Sequence, residues 1–206
     1  MSNSIIFIID NSCSVQPYLN SYTNAINGIV NLQKNENPDT LLTCVTFNDN
    51  INYLCINKPI REINRDVSGD DIRPTGLTAF YDNVSAILRN TSEFFNNNKQ
   101  RPPLVIILTD GDDTSSRNLR ERQTMLQVQM CKAKGWKFIF LGITETSIKL
   151  GKYLGFDVCI LYNTKEQSFK DIPETVSHFI KDPTIGQIDI DIRDLTDVMD
   201  NMNMIF

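Results

Sequence analysis

The chain alternates between short, nearly continuous apolar runs and longer segments in which apolar residues recur at helical spacing. A run that is apolar at almost every position is typical of a strand covered on both faces of a sheet. Six runs of this kind predict strands, at 4–10, 40–48, 51–57, 103–110, 136–143 and 156–162. Only Asp49 and Asn50 separate the second run from the third, and so short a link predicts an antiparallel hairpin.

The segments between the runs predict helices. Apolar residues follow a helical stripe from Pro17 to about Lys34. A second stripe runs from Phe80 to Phe94, and Thr78 is placed to cap that helix. Three later helices are predicted at 119–134, 147–154 and 166–181. This alternation predicts an α/β fold: a doubly wound, mostly parallel, six-stranded, Rossmann-like sheet with one antiparallel edge strand and helices on both faces.

Residues 1–182 are predicted to form this domain, and residues 183–206 form a tail with two patterns of its own. Ile188, Ile190 and Ile192 alternate with polar residues, which is the period of a strand with one apolar face. Apolar residues then recur at helical spacing, at Leu195, Val198, Met199, Met202 and Ile205. We expect this tail to dock on an apolar surface of its own domain or of another subunit, which leaves a homo-oligomer open.

Composition narrows the classes of function. With 206 residues and 41% hydrophobic content, the chain is long enough for one well-buried core. A net charge of -5 argues against nucleic-acid or membrane binding, because both depend on clustered Lys and Arg. The five cysteines include no CxxC pair, so we expect reduced thiols rather than a zinc knuckle or a disulfide framework. The first apolar run is too short for a signal peptide or a spanning helix, which predicts a soluble, cytoplasmic protein.

Carboxylates and hydroxyls follow the predicted buried strands. Asp10, Ser12 and Ser14 stand in the sequence DNSCS at the end of the first run, and Asp110 ends the fourth run in ILTDGDD. Thr78, in the loop before the second helix, adds a third hydroxyl. In doubly wound sheets, ligands collect at the carboxyl ends of the strands. These oxygen donors suit a hard divalent cation such as Mg²⁺, whereas zinc would favour softer ligands.

The DxSxS spacing of Asp10, Ser12 and Ser14, the loop residue Thr78 and Asp110 in a T-D-G run together resemble the metal-ion-dependent adhesion site of von Willebrand factor type A domains. The resemblance extends over about residues 3 to 181. It implies that these five residues bind Mg²⁺, with Mn²⁺ or Ca²⁺ as alternatives. It also implies an intracellular protein-interaction module, in which a Glu or Asp of a protein partner completes the coordination of the ion. The family commonly has Gly at position 13, where this chain has Cys.

Two other classes of function remain open. A Mg²⁺-dependent phosphotransferase or phosphohydrolase would use Asp10 to accept a phosphoryl group beside the ion. Haloacid-dehalogenase-like enzymes of that kind have Asp where Ser12 stands, and no Lys or Arg adjoins the motif to neutralise a phosphate. The other class is a purely structural domain with a degenerate site. Because His178 is the only histidine and no GxGxxG or GxxxxGK[ST] motif occurs, we expect a protein that is not an enzyme.

Overall fold

The sheet is built from the predicted strands. The computed structural model describes residues 3–98, 101–161, 168–181 and 188–191. Its strands are β1 (Ser4–Asp10), β2 (Leu41–Phe47), β3 (Ile51–Pro59), β4 (Leu104–Thr109), β5 (Lys137–Gly142), β6 (Val158–Leu161) and β7 (Ile188–Asp191). They are arranged in the order β3-β2-β1-β4-β5-β6-β7, with β3 antiparallel to β2 and the other pairs parallel. This arrangement confirms the predicted fold class, and β7 adds a further parallel strand beside β6.

Helices connect the strands as the alternation predicts. They are α1 (Leu19–Glu36), α2 (Gly69–Ile72), α3 (Phe80–Asn98), α4 (Glu121–Lys132), α5 (Glu145–Leu154) and α6 (Ser168–Lys181). Two short 3₁₀ helices, at Cys13–Tyr18 and Ile60–Glu62, precede α1 and follow β3. None of the described helices is both long enough and apolar enough to cross a membrane.

Each face of the sheet buries its own apolar core. β1 is buried at all seven positions, and its side chains alternate between the two cores. Ile5, Phe7 and Ile9 pack in the core covered by α1 and α6. Ile6 and Ile8 pack in the core covered by α3, α4 and α5. Helices therefore cover both faces, as the doubly wound prediction requires.

The start of α1 differs from the predicted one. Pro17 lies inside the 3₁₀ helix, and the α-helix begins only at Leu19. The tighter turn begins at the end of the DNSCS segment, where the Val15 N–H donates to the Ser12 carbonyl at 3.3 Å. Short 3₁₀ turns of this kind are frequent at helix amino termini, and they allow the chain to change direction directly after β1.

The apolar stripe of α3 also differs in detail. Phe94, predicted on the buried stripe, is 38% exposed, whereas Phe95 is buried. The ring of Phe95 packs edge-on against Trp136 with 5.5 Å between centroids, so a tertiary aromatic contact decides which of the two rings enters the core. Because α3 begins at Phe80, Thr78 lies before the cap position and does not cap this helix.

The predicted tail is only partly described. β7 covers Ile188 and Ile190 of the alternating segment. The helical pattern at 195–205 lies outside the described residues, and the division of the chain at residue 182 stays a prediction. The five cysteines are free thiols, of which Cys13 is exposed.

Candidate metal centre

The two predicted carboxylate ligands lie at the carboxyl edge of the sheet, where β1 and β4 are neighbours. Asp10 is the last residue of β1, and Asp110 follows the last residue of β4. The strands are parallel and paired as far as Ile9 with Leu108, so both acids leave the sheet side by side. Burial is the main cause that raises the pKa of the Asp10 carboxyl, and the negative charge of Asp110 adds to it. The fold thus brings together two acids that are far apart in the sequence.

Asp10 is a fully buried carboxylate. Its Oδ1 accepts the Ser12 N–H at 2.9 Å, and its Oδ2 accepts the Thr109 hydroxyl at 2.8 Å. Burial raises the pKa of Asp10 from 3.8 to about 6, although the hydrogen bonds from Ser12 and Thr109 lower it. Asp10 forms no salt bridge with any residue in the described part of the chain. The carboxylate is therefore held in place by neutral donors, without a cation from any residue that the structure describes.

Two of the predicted hydroxyl ligands meet directly. The Oγ atoms of Ser12 and Ser14 are 3.0 Å apart. Ligands at adjacent corners of an octahedral Mg²⁺ site are about 2.9 Å apart when each bond is about 2.0 to 2.1 Å long. Ser12 is buried and Ser14 is exposed. This pair of oxygens therefore has the spacing of two neighbouring ligands, one on the protein side and one on the solvent side.

The loop that carries Thr78 packs against the DNSCS segment. The Thr75 N–H donates to the Asn11 carbonyl at 2.8 Å, and the Cys13 N–H donates to the Gly76 carbonyl at 3.2 Å. Thr78 itself is only 2% exposed. These backbone bonds hold the loop that carries Thr78 at the same edge of the sheet as the DNSCS segment.

Thr109 is a positioning residue that the sequence analysis missed. Its hydroxyl donates to Asp10 and accepts the Gly111 N–H at 3.0 Å. Gly111 has a φ of 87°, and a Cβ added there would lie 2.6 Å from the Cα of Ser147, so this turn requires glycine. Thr109 thereby orients one carboxylate and organises the turn after the other. Thr109 belongs to the T-D-G run of the motif, but the sequence does not distinguish it from an ordinary Thr of a buried strand.

The donor set fits a hard divalent cation. It offers two carboxylates and three hydroxyls, and Mg²⁺ and Ca²⁺ prefer oxygen ligands. In the described part of the chain, this edge of the sheet included, no three His, Cys, Asp or Glu side chains are placed together to hold a metal ion, so an ion here would depend on the hydroxyls as well as the two acids. The burial of Asp10 beside Asp110 further favours a cation, because two adjacent carboxylates are costly to ionise in a site of low polarity.

The profile of the von Willebrand factor type A (VWA) domain matches residues 4–189 of this sequence. The chain belongs to the VWA domain family. Domains of this family generally act as protein-interaction modules. A search of curated protein sequences found no significant match.

Solved VWA structures share the fold at low sequence identity. A von Willebrand factor type A protein from Catenulispora acidiphila is 14% identical with a TM-score of 0.62, over 85% of this chain and 42% of that one. The SpRpn10 VWA domain is 16% identical with a TM-score of 0.55, over 93% of this chain and 100% of that one. Manganese-loaded Plasmodium vivax TRAP protein is 14% identical with a TM-score of 0.50, over 73% of this chain. The present chain spans 63% of the TRAP chain.

Another acid near the candidate site of this VWA domain has a structural role. The carboxylate of Asp82, in the first turn of α3, accepts the backbone N–H groups of Arg117, Asn118 and Leu119 at 2.6 to 3.1 Å. These bonds fix the loop before α4. His178 is exposed on α6.

The phosphotransferase alternative gains no support from the described residues of the VWA domain. A carboxylate that accepts a phosphoryl group must be accessible to it, whereas Asp10 has no exposed surface. Both of its oxygens already accept hydrogen bonds. Its surroundings are those of a buried structural or metal-binding carboxylate.

Proposed function

We propose that this VWA domain binds a divalent cation and uses it to capture an acidic side chain of a protein partner. Mg²⁺ is the first candidate, with Mn²⁺ or Ca²⁺ as alternatives. The residues that would hold it are Asp10, Ser12, Ser14, Thr78 and Asp110. One observation carries the proposal: Asp10 is fully buried beside Asp110, and no described residue forms a salt bridge with it.

The partner class follows from the chemistry of the donors. A divalent ion supplies positive charge that stabilises both carboxylates and attracts a further one from outside. Ser14 is exposed while Asp10 and Ser12 are buried, so the cluster opens to solvent on the side of Ser14. A Glu or Asp of a partner would approach from that side. The manganese-loaded TRAP protein, which shares the fold, supports a divalent cation.

Titration calorimetry with MgCl₂ and MnCl₂ tests the ion. We expect the double variant Asp10→Ala, Asp110→Ala to lose more than about a hundredfold in affinity, because both charged ligands are gone. The matched control is Asp66→Ala, Asp70→Ala, which removes two exposed acids that bind no ion in the proposal. Equal ion affinity in the wild type and in the folded Asp10, Asp110 variant would show that these two acids do not bind the ion.

A pull-down in Mg²⁺ and in EDTA tests the partner class. We expect at least one protein to be retained by the wild type in Mg²⁺, and to be lost both in EDTA and with Asp10→Ala. When the Glu and Asp residues of that protein are substituted one at a time, one of these substitutions should abolish its retention. Retention that is unaffected by EDTA would point to a contact away from the ion.

We further propose that the domain is not an enzyme and that it works in the cytoplasm. A phosphoester panel tests the first point, since turnover that disappears in Asp10→Asn would assign a reaction to this site. Cell fractionation of the full-length protein tests the second point. Recovery in a membrane fraction, or outside the cell, would contradict it.

A further inference from the structure

Asp49 lies in the turn between β2 and β3, where two ligand-bearing loops of the proposed site meet. Its Oδ2 accepts the Leu77 N–H and its Oδ1 accepts the Ser115 hydroxyl, each at 2.9 Å. Leu77 directly precedes Thr78, and Ser115 lies in the loop that follows Asp110. We infer that Asp49 is a positioning residue that holds Thr78 in place relative to the Asp110 loop.

Hydrogen bonds close a ring around Thr78. The Thr78 N–H donates to the Thr114 hydroxyl at 2.9 Å. The Thr78 carbonyl accepts the N–H groups of Thr114 and Ser115 at 2.8 and 2.9 Å. Asp49 joins the two remaining ends of this ring, because it binds Leu77 on one side and Ser115 on the other. A ligand inside a closed ring has fewer orientations to lose when an ion binds.

The neighbouring residues make room for this carboxylate. Gly76 has a φ of 71°, and a Cβ added to it would lie 2.6 Å from the Asp49 Oδ2. Asn48 extends the same anchor, because its side-chain N–H donates to the Thr75 carbonyl at 2.8 Å and its own carbonyl accepts the Ala79 N–H at 3.0 Å. The turn between β2 and β3 therefore holds the Thr78 loop at both ends.

The carboxylate of Asp49 is exposed, yet both of its oxygens accept hydrogen bonds from the protein. The hydrogen bonds from the Leu77 backbone and the Ser115 hydroxyl hold the pKa of Asp49 below its ordinary value. The group therefore stays ionised at neutral pH and keeps both bonds. Asp49 acts through Thr78 and does not itself ligate the ion, so this inference rests on the proposed function.

A double-mutant cycle tests the bridge. Asp49→Asn removes the charge and one of the two acceptor oxygens, whereas Ser115→Ala removes the same bridge without a change of charge. We expect each change to weaken Mg²⁺ binding in calorimetry by about tenfold, and the double variant to be no weaker than about twentyfold, because the two changes break one bridge. Asp70→Asn is the control for the loss of one exposed negative charge. It should change the affinity by less than about twofold in 0.5 M NaCl, where the effect of Asp49→Asn persists.

Hydrogen exchange in metal-free protein separates this inference from the proposed function. We expect Asp49→Asn and Ser115→Ala to speed exchange of the Leu77 and Thr78 amides by about tenfold, with no change at amides of β1. If the wild type binds no ion, the proposed function is wrong, and Asp49 then has no ligand of an ion to position. Slow exchange at Leu77 in both variants would overturn the bridge itself, as would fully additive losses of Mg²⁺ affinity.

Discussion

Asp10 and Asp71 are both carboxylates that accept a nearby backbone N–H, yet their surroundings shift their pKa values in opposite directions. Arg65 donates two hydrogen bonds of 2.7 Å to Asp71, and with Ser68 it holds the pKa of that carboxyl far below its usual range. Asp10 is buried beside a second acid, and burial raises its pKa to about 6. At Asp71 the protein supplies the cation. At Asp10 the described residues supply neutral donors instead, and in the proposed function the positive charge would come from a bound divalent ion.

The difference separates a carboxylate that is paired within the protein from one that, in the proposed function, would be paired by a bound ion. An ion pair near the surface contributes little energy but is complete without a ligand. A buried, unpaired carboxylate costs stability until a cation arrives. The same residue type therefore has opposite effects on the ion-free fold, and this contrast can be measured.

The largest effect is expected for Asp10→Asn in EDTA. The amide carries no charge to bury, so at pH 7 the free energy of unfolding should rise by up to about 3 kcal/mol, as a carboxyl pKa of about 6 against 3.8 implies. Urea unfolding measures the change. In saturating Mg²⁺ only the wild type should gain stability. If Asp10→Asn destabilises the ion-free protein, the carboxylate is structural and the contrast with Asp71 is lost.

A second effect is expected in the pH dependence of ion binding. In the proposed function the ion would bind the ionised form of Asp10, so the Mg²⁺ affinity should fall by about tenfold per pH unit below about pH 6. In EDTA, stability depends on pH in the opposite direction. The folded state holds the Asp10 proton more tightly than the unfolded state does, so the free energy of unfolding falls as pH rises from about 4 to 6. Calorimetry from pH 5 to 8 measures the first trend. An affinity that is the same at pH 5 and pH 7 would contradict it.

The smallest effect is expected for Arg65→Met. Loss of the exposed ion pair should lower the free energy of unfolding only slightly at pH 7, because solvent screens the pair. Because the pair holds the pKa of Asp71 low, its contribution is present above about pH 4 and is lost as pH falls below that value. The Mg²⁺ affinity should stay within about twofold of the wild type. Arg65→Lys, which keeps the charge but not the paired geometry, should recover part of the loss.

The sequence predicted the fold and the site unequally. The continuous apolar runs around Ile8 and Ile106 identified central strands, because only strands covered on both faces are apolar at every position. The positions of Asp10 and Asp110 could be predicted from these strands, because neighbouring parallel strands have their carboxyl ends at the same edge of the sheet. The set of five ligands remains a prediction. Thr109 and Asp49 were not found, because their partners lie on other loops and a turn acid has no pattern of its own.

The position of β1 in the sheet has a consequence for how the site arises. The hydrogen bond from Thr109 to Asp10 joins residues 99 positions apart, so it forms only after β4 has been made and has paired with β1. Closing so long a loop is entropically costly, and the contact is expected late in folding. A chain that stops before β4 contains the complete DNSCS segment without the second acid. In the proposed function, ion-dependent recognition would therefore require a chain in which β1 and β4 have already paired.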